Sequence, residues 1–179
     1  MSKKKDILKA ALQLFTENGE RATSTKSIAS EAETSEALIF RHFGTKEKLL
    51  EEIIKNGYQE STKLISQFLH EENGLEYILK IVEVPRILVH AHPNFWKMQH
   101  KIIALNLLSQ KHHDFFMKPC YDRLKIAFSE LNYENPALEA KLLLIYIDGM
   151  WKHFASRQLD SKTETALTAL VQQKYRAHN

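Results

Sequence analysis

Apolar residues return every three or four positions along nearly the whole chain, and that period belongs to the α-helix. Ile7, Leu8, Ala11, Leu12 and Phe15 make one stripe over residues 3–18. Ile28, Ala29 and Ala32 form a small apolar face, and Leu38, Ile39 and Phe43 form another. Between them lies the polar turn Glu33-Thr34-Ser35. Leu49, Leu50, Ile53, Ile54, Leu64, Ile65, Phe68 and Leu69 carry a long fourth helix to about residue 70. Further helices are predicted near 75–91, 94–109, 112–131, 136–156 and 161–177. The alternation that marks strands is nearly absent. The pattern predicts an all-α protein of about nine helices.

The punctuation agrees. Gly19 follows the first stripe, where a left-handed cap is wanted. Thr23, Ser24 or Thr25 can cap the second helix, Thr34 or Ser35 the third, and Thr45 the fourth. Glu71-Glu72-Asn73-Gly74 reads as a break. Pro93 and the pair Asn135-Pro136 mark helix starts. Pro85 and Pro119 lie inside apolar-periodic segments, where a missing donor and a crowding ring predict kinks or interruptions.

Residues 24–48 carry the functional signal. Small residues on the second helix allow a close, steep crossing with the third, which is the helix-turn-helix design. The second helix of such a unit lies in the DNA major groove. The side chains left outside are then Glu36, Ala37, Phe40, Arg41 and His42. This divides the chain into an N-terminal three-helix DNA-binding domain, residues 1–45, and a C-terminal helical domain, residues 46–179.

Composition adds limits. The chain has 179 residues, of which 44% are apolar, enough to bury a core. The formal charge of +3 says little, because a DNA binder needs a local basic surface rather than a large total. Cys120 is the single cysteine, which excludes an internal disulfide and fits a cytoplasmic setting. It reads as a small buried apolar side chain. Lys3-Lys4-Lys5 begins an amphipathic helix and not a signal peptide. The longest apolar run, residues 142–147, is too short to span a membrane.

The first fifty residues resemble the tetracycline-repressor (TetR) family of bacterial transcription regulators. The resemblance rests on Ile7-Leu8-Lys9-Ala10-Ala11, Leu14-Phe15, Gly19, Ala22-Thr23-Ser24, Ile28-Ala29, Ala32 and Ser35. It continues through Phe40-Arg41-His42-Phe43 and Lys46-Glu47-Lys48-Leu49-Leu50. It implies a repressor that binds a palindromic double-stranded operator as a homodimer and is released by a small-molecule effector. By position, it implies base-edge or adjoining backbone contacts for Lys26, Ala37, Leu38 and Arg41. For Ser24, Thr25, His42 and Lys46 it implies phosphate contacts. Two residues depart from the family pattern. Glu33 stands at the usual turn glycine, and Phe40 at the usual recognition-helix tyrosine. A phenyl ring has no hydroxyl for a phosphate, but it can touch a thymine methyl or a sugar. Glu36 either accepts from a cytosine amine or faces solvent, and the Lys3–Lys5 arm either reaches the DNA backbone or is solvated.

The penultimate helix is apolar on two faces: Leu138, Leu142, Ile145 and Gly149 on one, Leu144, Ile147, Trp151 and Phe154 on the other. Such a helix needs two partners: its own core and a second subunit, or else two parts of the same monomer. Leu167, Leu170 and Val171 of the last helix extend the expected dimer interface. The segment between head and dimer helices is rich in aromatics, among them Phe95, Phe115, Phe116 and Phe128. The resemblance implies a small, largely apolar effector there, with Trp96, His100, Tyr121 and Trp151 as candidates.

The nine histidines show no metal spacing, since His90 and His92, or His112 and His113, cannot share a helix face. No metal, cofactor or enzymatic activity is expected. Two rival readings remain: a helical small-molecule or protein-binding module whose head no longer reads DNA, and an enzyme built on a helical bundle.

Overall fold

The computed structural model describes residues 2–69, 73–156 and 160–176. Among them run nine helices: α1 (Lys3–Asn18), α2 (Thr25–Glu31), α3 (Glu36–Phe43), α4 (Lys46–Phe68), α5 (Gly74–Ala91), α6 (Pro93–Ile102), α7 (Leu107–Glu130), α8 (Pro136–Ser156) and α9 (Ser161–Arg176). No strand occurs among the described residues. The expected break at Glu71-Glu72, the burial of Phe68 and the last predicted helical residue, Ala177, lie outside them.

The chain packs as two compact units, Met1–Gln59 with Asn94–His112, and Glu60–Pro93 with His113–Asn179. In the first, Ile7, Ala11 and Phe15 of α1 are fully buried, as are Ile28 of α2, Ile39 of α3 and Leu49 of α4. Burying each large side chain stabilises by about 1.5–3 kcal/mol over leaving it in water. The α1, α2 and α3 helices all contact one another. Helix α6 completes this unit: Phe95, Trp96, Met98 and Gln99 are buried. The rings of Phe95 and Trp96 meet Tyr58 of α4 edge-on, at 5.4 and 5.7 Å. The Gln99 amide donates to the Tyr58 hydroxyl at 2.7 Å and also to the Ser109 hydroxyl.

In the second unit α5 is the central helix, with ten buried residues and contacts to both α8 and α9. Gln172 of α9 donates to the Leu79 carbonyl of α5 at 2.8 Å. Leu124, Ala127 and Phe128 of α7 are fully buried, and Tyr133 and Tyr175 pack their rings on Phe128. Cys120 is buried, and desolvation pushes its thiol up to about 11, so it stays a protonated, unreactive apolar side chain.

Of the two outcomes expected at Pro85 and Pro119, kink or interruption, the second does not occur: α5 and α7 run through both. Pro119 and Phe115 are exposed, so the carbonyl freed one turn back can meet water. At Pro85, one lost hydrogen bond weighs less than the buried surface of α5. The helix expected over 94–109 ends at Ile102, because Asn106 caps α7 by accepting from the Ser109 amide at 2.9 Å. Phe115, expected in an aromatic wall, is 80% exposed.

Candidate nucleic-acid interface

The head is built from its caps outward. The Ser24 hydroxyl accepts from the Ser27 amide at 3.0 Å and starts α2. The Ser35 hydroxyl accepts from the Leu38 amide at 3.2 Å and starts α3. The Thr45 hydroxyl accepts from the Lys48 amide at 3.2 Å and starts α4. Each satisfies an orphan donor of a first turn. Glu47 sits beside the α4 start, where its own backbone amide and the Thr45 hydroxyl hold its carboxyl below the usual range.

The turn between α2 and α3 closes without glycine. Glu33 takes a left-handed backbone, φ 48°, and Thr34 donates to the Ala29 carbonyl at 2.9 Å. Lys3 supports it from α1, its ammonium 3.2 Å from the Glu33 carbonyl and 3.4 Å from that of Ala32. This corrects the expectation of a basic arm. Lys3, Lys4 and Lys5 are the first turn of α1, and Lys4 pairs with Glu52 of α4 at 2.9 Å.

With Ile39 and Phe43 facing the core, α3 turns Ala37, Phe40, Arg41 and His42 outward. Leu38 is half-buried, and Phe40 is 46% exposed. Lys26 and Ser24 of the α2 start are exposed. Two candidates are engaged within the head. The Lys46 ammonium donates to the Glu20 and Thr23 carbonyls at 2.9 and 3.1 Å and pairs with the Glu20 carboxylate at 3.0 Å. An ammonium has three donors, so these partners use its capacity, and Lys46 braces the α1–α2 loop. Thr25 donates its hydroxyl to Glu36 at 2.5 Å, so that proton is engaged too. Glu36 thereby gains a partner within the head, while its other oxygen can still accept. Lys48, exposed in the first turn of α4, is a further cation beyond the residues to which the family resemblance assigns DNA contacts.

The effector candidates divide between the units. Trp96 is buried and His100 half-buried in the first; Trp151 is buried and Tyr121 half-buried in the second. Lys125 lies 4.9 Å from the Tyr121 ring, and Trp151 packs against Phe116 and His113. Neither unit holds all four. On α8, Ile147, Trp151 and Phe154 are buried, while Leu138, Leu142 and Ile145 are 62%, 45% and 67% exposed. Gly149 is exposed as well, and on α9 Leu170 is 56% exposed, with Leu167 and Val171 half-buried.

No helix among the described residues is long and apolar enough to cross a membrane. Among the same residues, no group of three potential metal ligands gathers.

Comparison with known proteins gives three findings. The family model described as bacterial regulatory proteins, tetR family, matches residues 7–53. An HTH-type transcriptional repressor of Mycobacterium tuberculosis is 34% identical over 92 residues, 49% of this chain and 47% of that protein. YvkB of Bacillus subtilis, an uncharacterised HTH-type transcriptional regulator, is 43% identical over 63 residues, 35% of this chain and 33% of its own length. Thus the chain spans about half or less of the curated relatives it matches. The structure of AibR in complex with isovaleryl coenzyme A and operator DNA superimposes with a TM-score of 0.74. It is 21% identical, and the match covers 97% of each chain, so the fold is shared throughout.

Proposed function

We propose that the chain is a ligand-responsive transcriptional repressor of the tetR family of bacterial regulatory proteins, whose model matches residues 7–53. On this reading it binds a palindromic operator as a homodimer, and a small, largely apolar effector releases it. Residues 1–45 would be the DNA-binding domain, and residues 46–179 the effector-binding and dimerisation domain.

The observation that carries the reading is the outer face of α3. A helix whose inner side is Ile39 and Phe43 presents Ala37, Phe40, Arg41 and His42 to solvent, and Lys26 of α2 is exposed as well. An exposed guanidinium on such a helix can bind guanine through two hydrogen bonds, and Phe40 can meet a thymine methyl. Lys26, Lys48, Ser24 and His42 would hold phosphates, which fix register without reading sequence. Glu33 and Phe40, the two departures from the family pattern, are what a head that no longer reads DNA would rest on; Glu33 closes the turn with Lys3 on its carbonyl, which favours a working head.

One head reads too few base pairs to find an operator in a genome. The exposed Leu138, Leu142, Ile145, Gly149 and Leu170 support pairing with a second copy. Two-fold pairing matches a palindromic site. AibR, with the same fold, holds both a ligand and operator DNA, which supports joining the two activities in one regulator. The effector must bind the DNA-competent and incompetent states unequally, or it shifts nothing.

Sedimentation tests the pairing. A dimer at micromolar concentration is expected, with Ile145→Glu giving a folded monomer that binds the operator far more weakly. A wild-type monomer under these conditions would remove the palindrome argument.

A further inference from the structure

We propose that Glu36, pinned by Thr25, is a base-specificity residue that selects cytosine at one position of each half-site. This rests on the reading above, in which α3 enters the major groove.

Glu36 is the first residue of α3, and Thr25 is the first residue of α2. The Thr25 hydroxyl donates to Glu36 Oε2 at 2.5 Å, so the carboxylate is held across the two helix starts. Glu36 is only half-buried, and its second oxygen keeps acceptor capacity. An ionised carboxylate offers nothing but acceptors to what approaches it, and one of its oxygens already accepts from Thr25. It repels phosphates, so within a major groove the neighbour that suits it is a base edge with a donor.

In the major groove the bases differ on this point. Guanine shows only acceptors, and thymine shows an acceptor and a methyl. Cytosine shows the N4 amine, and adenine shows its N6 amine beside the N7 acceptor. A carboxylate suits cytosine, is repelled by guanine N7 and O6, and meets adenine with one attractive and one repulsive contact. Glutamine at the same place would donate to adenine N7 while accepting from N6, which reverses the order. Thr25 is the positioning residue: without it, the side chain is free to swing into solvent.

The test is selection from a randomised duplex pool, with sequencing of what wild type, Glu36→Gln, Thr25→Ala and Thr25→Ser retain. Thermal melting checks that each variant is folded. Wild type is expected to favour cytosine about tenfold at one position per half-site. Glu36→Gln is expected to move that one preference to adenine and leave the rest of the motif intact. Thr25→Ala should weaken the preference, and Thr25→Ser, which keeps the hydroxyl, should restore it. Identical base profiles for wild type and Glu36→Gln would overturn the proposal and leave DNA reading standing. Enrichment of no sequence by any variant would overturn the DNA-binding account and this proposal with it.

Discussion

The ring of Phe95 lies where a side chain on Gly57 would begin: a Cβ built there falls 2.1 Å from the ring edge. Gly57 is therefore the seat of α6 on α4, the helix that continues directly from the head. Alanine at this site gains about 1 kcal/mol of helix propensity. Overpacking costs about 1–3 kcal/mol or more and should win. Gly57→Ala is expected to lower the urea midpoint, and pairing it with Phe95→Leu should recover part of the loss. A midpoint raised by Gly57→Ala alone would contradict this packing.

Arg41 and Lys46 should separate function from stability. Arg41→Ala removes an exposed group and is expected to weaken operator binding by about 1–3 kcal/mol with melting unchanged. Lys46→Ala strips the donors from two loop carbonyls and the Glu20 carboxylate. It should lower the melting temperature first, by several degrees for a loss of about 1–2 kcal/mol. Equal melting of the two variants would contradict the brace.

Glu33→Gly should stabilise the head. A left-handed backbone costs a residue with a side chain about 1–2 kcal/mol, and glycine is free of that strain. Part of the gain is returned through the more flexible unfolded chain. The net rise is expected to be about 1 kcal/mol in chemical denaturation; a fall would show that the Glu33 side chain matters more than its backbone.

The second unit carries a pH dependence at His113 and Asp148, whose imidazole Nε2 and carboxylate lie 3.8 Å apart. Burial lowers the His113 pKa below its ordinary 6.5, with Asp148 and Asp114 opposing. The unfolded chain then takes up a proton that the fold resists, so stability falls as pH drops through that range. Burial raises Asp148, whose sign is opposite: its charged form burdens the fold, and acid relieves it. Between about pH 7.5 and 5.5 the histidine should dominate. His113→Asn is expected to flatten the decline in unfolding free energy; an unchanged slope would contradict the assignment.

Helices with a one-sided stripe were legible in the sequence. The buried Ile7, Ala11 and Phe15 of α1 and the Thr45 cap follow from local spacing alone, whereas the other two caps stay open there among Thr23, Ser24 and Thr25 and between Thr34 and Ser35 until the structure selects Ser24 and Ser35. The outward face of α3 also follows from spacing, because Ile39 and Phe43 claim the inner one. What escaped were bonds between distant residues. Lys46 reaches Glu20, Lys3 reaches Glu33 and Thr25 reaches Glu36, and nothing local distinguishes a bracing lysine from a phosphate-binding one. The Asn106 cap was hidden inside an apolar-rich stretch, and the exposure of Phe115 depends on which side of α7 meets the core.

The most direct test is hydroxyl-radical footprinting of the purified protein on duplex fragments from its own genome at low ionic strength. The account predicts two protected backbone patches, symmetric and spaced by about one helical turn or a multiple of it, that fade as salt rises. Fragments cleaved evenly along their length at every protein concentration would contradict it.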